Sequence, residues 1–145
     1  MDFSTIPLSR LNAMHKNTLM ETLSIQFTDA GLDFLEAEMP VGPMNHQPMG
    51  LLHGGATAAL IESIGSMGSA LMCDLSMEHP VGLEVNANHI SSISEGVVVG
   101  KGKLIHKGKK THVWQVDVYA KESTRIISSG RLTVMIVRKT GANHE

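Results

Sequence analysis

The sequence has 145 residues, of which 42% are hydrophobic and 18% are charged, values typical of one globular domain of ordinary size. We therefore predict a single domain over residues 1–145. A formal net charge of -2 argues against a nucleic-acid or membrane-surface binder, because such proteins usually carry a marked excess of basic residues.

Cysteine usage and the apolar runs bear on compartment and membrane contact. The one cysteine, Cys73, cannot form an intramolecular disulfide, and no signal-peptide pattern opens the sequence, so we expect a cytoplasmic protein. The most apolar run, residues 56–72, carries Glu62 and is shorter than the about 20 apolar residues that span a bilayer. It predicts a buried helix. We interpret Cys73, which follows that helix, as a packing residue without a basic neighbour to activate it.

The N-terminal third predicts a short helix over residues 12–20, followed by strands over residues 23–28 and 34–39. A hairpin-like turn is predicted between these strands at residues 29–31. Residues 40–50 have no periodic pattern and predict an irregular loop before the apolar helix.

After that helix, residues 78–80 contain a proline and predict a break before a strand over residues 82–90, with a turn at 91–96. Three long strands are predicted over residues 97–106, 111–120 and 125–138, separated by turns at 107–110 and 121–124. In the second of them Trp114, Val116 and Val118 alternate with polar residues, as in a sheet with one buried face. Strands on both sides of one apolar helix predict an α+β fold, an antiparallel sheet curled around the helix.

The stretch from residue 47 to residue 66 contains the main candidate site. Gly54 and Gly55 leave the backbone without side chains where the helix begins and its first amides lack partners. Such a helix start can receive a developing negative oxygen. Glu62 is the only carboxylate in the helix body, where an ionised group is costly unless it has partners, and Ser66 shares its face.

A Gly-Gly pair alone would indicate only a tight helix entry with a capping role for the neighbouring polar groups. The glycines are accompanied by Gln47, His53, Glu62 and Ser66 in one short loop and one helix start. This combination favours a functional site over a purely structural helix entry.

These residues, together with Asn86-Ala87-Asn88-His89, resemble the hot-dog-fold acyl-CoA thioesterases of the 4-hydroxybenzoyl-CoA and phenylacetate-pathway type. Residues 86–89 resemble the subgroup that acts on aryl and naphthoyl thioesters. The resemblance covers residues from about 40 to 138. It implies a hot-dog fold and hydrolysis of an aromatic acyl-CoA (benzoyl, phenylacetyl or 1,4-dihydroxy-2-naphthoyl) or a medium-chain acyl-CoA to the free acid and CoA.

The resemblance also assigns catalytic roles. The Gly54 amide would polarise the thioester carbonyl, which the Gln47 side chain would help to place. Glu62 of the partner subunit would be the base that deprotonates a water, or the nucleophile that forms a mixed anhydride. Ser66 would hold the water or the carboxylate, and His53 would order the loop and contact the thioester end.

His89 would gate or orient the same water, although a histidine in a sheet is more often structural. Two other structural alternatives stay open. Glu62 would then be held by a buried hydrogen bond, and Ser66 would bond back to the Glu62 carbonyl.

A basic run surrounds His106 and predicts either the exposed face and turn of a hairpin or a clamp for the CoA phosphates. The resemblance places the CoA diphosphate near this turn, and the substrate-binding residues that it implies are Gly55, Gly82, His106, Lys107 and Gly108. It also implies a homotetramer, a dimer of dimers with each active site across a dimer interface. The small residues Gly65 and Gly68 fit either packing of the helix on the sheet or a close approach of two helices.

Eight histidines raise the possibility of a metal site, but none of the candidate pairs has the helical i, i+4 spacing of a zinc site and no second cysteine is present. We predict no metal and no cofactor, with CoA as part of the substrate. Three alternatives are proofreading of misacylated carrier proteins, an acyl-CoA-binding module without catalysis, and a hydratase. The intact Glu62 argues against the binding module, and a hydratase would pair a His with an Asp at the helix start.

Overall fold

The computed structural model describes residues 1–123 and 125–139. Six strands form one antiparallel sheet in the order β1-β2-β4-β5-β6-β3, and the long helix α3 packs against it. Thr124, in the predicted turn 121–124, and residues 140–145 lie outside the described residues. The elements in chain order are α1 Leu8–Ala13, α2 Leu19–Thr22, β1 Gln26–Gly31, β2 Phe34–Val41, α3 Gly54–Ala70, β3 Glu78–His89, β4 Gly96–Lys107, β5 Thr111–Ala120 and β6 Ile126–Arg138.

The core lies between α3 and the inner face of the sheet. Leu60, Ile61 and Ile64 of α3 are completely buried. A Cβ added to Gly68 would lie 2.3 Å from the Trp114 ring, so this glycine lets the helix approach the indole. The Trp114 Nε1–H donates to Ser69 Oγ at 3.0 Å inside the core. The predicted α+β sheet curled on one helix is therefore confirmed, and Gly68 serves the packing of the helix on the sheet.

The N-terminal third differs from the prediction in its helix, its first strand and its first turn. The strand predicted over residues 23–28 is β1, Gln26–Gly31. The helix predicted over residues 12–20 is two short helices, α1 and α2, because Asn17 between them has a left-handed φ of 61°. The hairpin turn lies at Leu32 and Asp33 rather than at residues 29–31, since Gly31 still pairs with Phe34. Asp33 takes the left-handed conformation there, with a φ of 59°, which aspartate tolerates better than most residues.

The predicted break at residues 78–80 was wrong, because β3 begins at Glu78 and includes Pro80. The position of β3 in the sheet explains this difference. Among the described residues it is an edge strand that pairs only with β6, and an edge strand tolerates a residue without an N–H donor on its unpaired side. The three later strands lie within a residue of their predicted bounds, and β5 has the predicted ones.

The expectation of a wholly buried helix is only half right. One face of α3 packs on the sheet, whereas Glu62 on the opposite face is exposed and the neighbouring Ser63 and Ser66 are half-buried. Small residues on this face leave the helix open on the side away from the sheet. None of the helices in the described chain is long and apolar enough to cross a membrane.

Candidate functional site

The loop before α3 is held in place by Asn45, which is 7% exposed. Its Oδ1 accepts from the Gly42 amide at 3.0 Å, and its Nδ2 donates to the Pro40 carbonyl at 2.8 Å. Its own carbonyl accepts from the His53 amide at 2.8 Å. Asn45 was not predicted as a site residue, although an Asn that closely follows Gly42-Pro43 is typical of a side chain that orders a turn. The predicted irregular loop thus contains an ordered 3-10 turn, Pro43–Asn45.

Gln47 is oriented by its own loop. Its backbone amide donates to the Leu51 carbonyl at 2.8 Å, and its Oε1 accepts from the Met49 amide. Because the oxygen is engaged, the side-chain NH₂ is the group left to donate. Gln47 lines a cavity of about 330 Å³ at the start of α3, which we call the helix-start cavity.

The first turn of α3 leaves one amide without an acceptor. His53 is the N-cap residue, and its Nδ1 accepts from the Gly55 amide at 2.8 Å. The His53 carbonyl accepts from the amides of Ala56 at 3.0 Å and Thr57 at 3.3 Å. The expected capping role is therefore confirmed for His53. Within residues 1–123 and 125–139 the Gly54 amide has no acceptor, so the positive end of the helix keeps one N–H donor for a ligand.

His89, at the end of β3, lies directly against the start of α3. A Cβ added to Gly54 would be 2.6 Å from His89 Nε2, so the absence of a side chain at Gly54 lets the imidazole approach the free amide. Gly54, His89 and Gln47 all line the helix-start cavity. Thr57, which is 1% exposed, lines it as well, and the sequence analysis missed this residue inside an apolar run.

A second cavity, of about 450 Å³, lies along the outward face of α3, and we call it the helix-face cavity. Glu62 and Ser66 line it together, as their four-residue spacing predicts. Its other walls are mostly apolar and include Met14 directly after α1, Leu19 and Met20 of α2, Met67 of α3 and Pro80 of β3. Met39, in contrast, is completely buried as a core residue, so the methionines of this chain divide between core packing and the cavity wall.

The Glu62 carboxylate is uncommitted. In the part of the chain that the structure describes, it makes neither a hydrogen bond nor an ion pair, and Ser66 does not bond back to the Glu62 carbonyl. Glu62 Oε1 lies against Gly82 of β3, where an added Cβ would be 2.5 Å away. The ladder between β3 and β6 shifts register between Gly82 and Glu84, and such bulges often adjust a strand beside a functional group.

The two cavities are separate on one chain. Gly54 and Glu62 are eight residues apart on α3, which at the rise of an α-helix is about 12 Å along the axis. The helix-start cavity and the helix-face cavity share no lining residue. One chain therefore brings Gln47, Gly54 and His89 together, and Glu62 with Ser66, but it does not bring the two groups into one pocket.

The turn between β4 and β5 carries the residues expected to meet CoA. His106 and Lys107 are exposed, and the Gly108 amide donates to the Thr111 carbonyl at 2.8 Å. Gly82 and His112 both pair with Val134 of β6, so this turn lies toward the Gly82 end of the sheet. Lys101 and Lys103 of the basic run are part of β4, where Lys101 lies 4.3 Å above the centre of the Phe34 ring.

Two further groups near this turn have shifted pKa values. Burial, and then the nearby Glu78, raise the pKa of the Cys73 thiol. The thiol is therefore a poor nucleophile, as the packing interpretation expects. Burial, and then Lys107, lower the pKa of His112, whose Nδ1 is buried without a hydrogen-bond partner. Among the described residues no three His, Cys, Asp or Glu side chains are grouped to hold a metal ion.

Similarity to a known family identifies the class of protein to which this arrangement belongs. Residues 49–127, more than half of the sequence, match the thioesterase superfamily. The chain belongs to the thioesterase superfamily. The matched region covers α3, with Gly54 and Glu62, and every lining residue of the helix-start cavity except Gln47.

Relatives of this thioesterase match it over nearly their full lengths. It is 46% identical over 132 residues to the 1,4-dihydroxy-2-naphthoyl-CoA hydrolase of Escherichia coli, a match that covers 91% of this chain and 96% of the relative. It is 41% identical over 130 residues to the proofreading thioesterase EntH of Cronobacter turicensis, covering 90% and 93%.

Solved structures agree with the fold. The crystal structure of a mutant of thioesterase PA1618 from Pseudomonas aeruginosa aligns with a TM-score of 0.90 at 40% identity, covering 95% of this chain and 99% of that one. Thioesterase HI1161 from Haemophilus influenzae aligns with a TM-score of 0.89 at 34% identity, covering 97% and 96%. This thioesterase therefore has the hot-dog fold that the resemblance implied, and it is a thioester hydrolase.

Proposed function

We propose that this thioesterase hydrolyses an aromatic or medium-chain acyl-CoA to the free acid and CoA, at a site that two copies of the chain build together. The proposal rests mainly on one observation. The unpaired Gly54 amide and the uncommitted Glu62 carboxylate are complementary parts of a thioester-cleaving site, yet α3 separates them by about 12 Å. A single carbonyl cannot meet both groups of one chain, so Glu62 of the partner subunit supplies the carboxylate.

The edge of the sheet supports this assembly. Within residues 1–123 and 125–139, β3 pairs on one side only, so its other side offers a row of N–H and C=O groups to a second strand. Val81 and Leu83 are exposed on this strand, at 47% and 57%. Pairing of β3 with its copy would continue the sheet and bring two α3 helices near each other. We extend this to a tetramer, as a dimer of two such dimers.

The chemistry follows from the polar groups at each cavity. The Gly54 N–H and the Gln47 NH₂ donate to the thioester carbonyl oxygen and stabilise the negative charge that develops on it. Glu62 then takes a proton from a water that attacks the carbonyl carbon, the C–S bond breaks, and the CoA thiolate receives a proton. In the alternative route Glu62 itself attacks, CoA leaves, and water opens the mixed anhydride.

The remaining site residues have supporting roles in this proposal. Ser66 lies beside Glu62 and holds the water or the carboxylate. His53 caps α3 through Nδ1, which leaves its Nε2–H to face the thioester end. His89 orients the water beside Gly54. We propose that Glu62 activates the water without a metal or other cofactor.

The walls of the cavities suggest where the parts of the substrate lie. The helix-face cavity is mostly apolar and lies beside Glu62, and flexible methionine side chains adapt to different acyl groups. The CoA moiety would run past Gly55 and Gly82 toward the His106-Lys107-Gly108 turn. The naphthoyl-CoA hydrolase among the relatives makes 1,4-dihydroxy-2-naphthoyl-CoA the first aromatic substrate to test.

A second candidate is proofreading of misacylated carrier proteins, which the similarity to the proofreading thioesterase EntH favours. The reacting thioester and the roles of Gly54 and Glu62 would be the same. Faster release from an acylated carrier protein than from the matching acyl-CoA would select this candidate.

The test is thiol release from benzoyl, phenylacetyl, 1,4-dihydroxy-2-naphthoyl and straight-chain acyl-CoAs, measured with a disulfide-exchange dye. Glu62→Gln keeps the shape of the side chain and removes its basicity, so we expect kcat to fall by about 10²–10⁴-fold. Glu36→Gln, on β2 and outside both cavities, is the matched control and should retain wild-type rates. Full activity in Glu62→Gln would refute the proposed role of the carboxylate. CoA binding without thiol release in the wild type would indicate a binding module.

A further inference from the structure

The loop that follows β3 forms one wall of the helix-start cavity. Ile90, Ser91, Ser92 and Ile93 line that cavity. Residues 92–95 also line a neighbouring cavity of about 350 Å³. This loop, residues 90–95, is therefore the partition between two cavities, and its position sets the width of the one that contains Gly54.

Three successive carbonyls of this loop are held by donors from other parts of the chain. The Ser92 carbonyl accepts from Arg125 Nη1 at 2.9 Å, and the Ser94 carbonyl accepts from His46 Nε2 at 2.8 Å. Between them, the Ile93 carbonyl accepts from the Leu52 amide at 2.8 Å. The loop is thus tied to the β5–β6 turn on one side and to the loop before α3 on the other.

One of the three donors is a backbone amide, and the other two are side chains that a substitution can remove. The donor to Ile93 is a backbone amide, and the Ile93 side chain packs against the hydrophobic core, so this anchor belongs to the fold. The two outer bonds come from polar side chains, of which His46 is half-buried and Arg125 is exposed. They align the loop without supporting the core.

His46 also connects the loop to the opposite wall of the helix-start cavity. It precedes Gln47, and it forms an isolated β-bridge with Leu52. His46 Nε2 donates to the Ser94 carbonyl from the segment that contains Gln47. This bond therefore fixes the distance between the cavity wall with Gln47 and the wall with Ser91 and Ser92. Arg125 fixes the same loop from outside. A ligand in the cavity meets a wall whose position these two side chains determine.

We propose that His46 and Arg125 are positioning residues that act through the Ser92 and Ser94 carbonyls to set the affinity of the site for its CoA thioester. The inference rests on the proposed function, because it concerns the same site. The two residues touch neither the reacting carbonyl nor Glu62. Their loss should therefore raise KM and leave kcat nearly unchanged.

The experiment compares variants that remove the donor with variants that keep one. His46→Leu and Arg125→Met remove it, and His46→Gln and Arg125→Lys keep an N–H. Arg10→Met, on α1 and outside all three cavities, is the surface control. KM and kcat are measured with the acyl-CoA that the wild type hydrolyses fastest, and the Kd for CoA is measured by calorimetry.

For His46→Leu and Arg125→Met we expect KM and Kd to rise by about tenfold, the effect of losing one positioning hydrogen bond, with kcat within about twofold of wild type. His46→Gln and Arg125→Lys should recover most of the affinity. Unchanged KM and Kd would overturn the inference. A fall in kcat that follows a lower melting temperature, without a change in KM, would overturn it too, because that pattern indicates a purely structural role.

The two proposals fail in distinguishable ways. If the wild type releases thiol but the His46 and Arg125 variants bind as tightly as it does, only the positioning inference fails. If the wild type releases no thiol from any acyl-CoA but binds CoA, the hydrolytic proposal fails, and the Kd values of the variants still decide the inference. A wild-type protein that neither releases thiol from any acyl-CoA nor binds CoA would overturn both.

Discussion

The start of α3 and its outward face two turns later differ in how their polar groups are held. At the start, His53 caps the helix, the Asn45 carbonyl accepts from the His53 amide, and the Gln47 oxygen is engaged by its own loop. On the outward face, Glu62 and Ser66 have no hydrogen-bond partner in the described chain. One chain therefore preorganises the groups that would stabilise an oxyanion, whereas in the proposed dimer the carboxylate acquires its setting from the second subunit.

The physical reason lies in the backbone. The first four amides of a helix have no acceptor inside the helix, so the preceding loop folds onto them and becomes ordered. In the middle of α3 the backbone groups are satisfied within the helix, and nothing obliges another part of the same chain to approach Glu62. If the site is shared between subunits, a Gly54 variant and a Glu62 variant should restore activity to each other in one dimer.

The largest expected effect is recovery of activity in mixed dimers. Glu62→Gln and Gly54→Pro are each expected to be nearly inactive alone. After the two variants are unfolded and refolded together, half of the dimers contain one of each. One of the two sites in such a dimer has both the wild-type amide and the wild-type carboxylate, so thiol release should recover to about a quarter of the wild-type rate.

Mixing without unfolding is the control for this experiment, since slow exchange between preformed dimers should give little recovery. Activity that stays at the level of the separate variants after refolding would place the whole site within one chain. It would contradict the assignment of Gly54 and Glu62 to different subunits.

A smaller effect isolates the Gly54 amide. Proline at the first position of a helix is well tolerated and lacks only an N–H that the helix does not use. The extended ψ of 130° at His53 suits the position before a proline. Gly54→Ala adds a Cβ near His89, as Gly54→Pro does, but keeps the N–H. We expect kcat for Gly54→Pro to lie about 10²-fold below that for Gly54→Ala.

Steady-state kinetics of the two Gly54 variants and of Gly42→Ala check this. Gly42 has no atom within 4 Å of an added Cβ, so its variant should match the wild type. Equal rates for Gly54→Ala and Gly54→Pro would show that the Gly54 amide is not the carbonyl donor.

The sequence was sufficient to predict what depends on local patterns. The alternation around Trp114 predicted β5 with its bounds, and the apolar run predicted α3. Pro80 misled the prediction of β3, because the tolerance of a proline depends on the edge position of the strand, and strand order is not a local property. The spacing of Glu62 and Ser66 placed them on one face, but only the structure shows that this face is separate from Gly54.

Residues that act through tertiary bonds had no such signal. Arg125 lies 33 positions from Ser92, and His46 lies 48 positions from Ser94, so no spacing rule connects them. Asn45 could have been found from its loop composition, whereas its contact with the His53 amide depends on how the loop closes on α3.

The smallest expected effect concerns His112, which lies near Cys73 and the β4–β5 turn, a region without a proposed catalytic group. Burial lowers the pKa of His112 from its ordinary value of 6.5. In the unfolded chain this imidazole binds a proton as the pH falls through about 6.5, while in the folded protein it stays neutral to lower pH. The unfolded state then holds more protons, so stability falls on acidification below that value.

Urea unfolding at pH 8, 7, 6 and 5 measures this contribution. His112→Phe should lose less stability than the wild type between pH 7 and pH 5, and kcat at pH 8 should change by less than about twofold. His79→Gln, an exposed histidine near the same end of the sheet, is the control and should follow the wild-type profile. An unaltered pH profile in His112→Phe would show that this histidine is not the linked group.

The pairing of β3 also has a consequence for how the protein is made. β3 follows α3 in the sequence, but its partner is β6, the last strand, and Glu78 pairs with Arg138. During synthesis Gly82 and His89 therefore have no ladder to join until the ribosome has produced β6. Such distant pairing slows folding. The nascent chain passes through a period with β3 unpaired on both sides, in which premature association of two incomplete copies competes with folding.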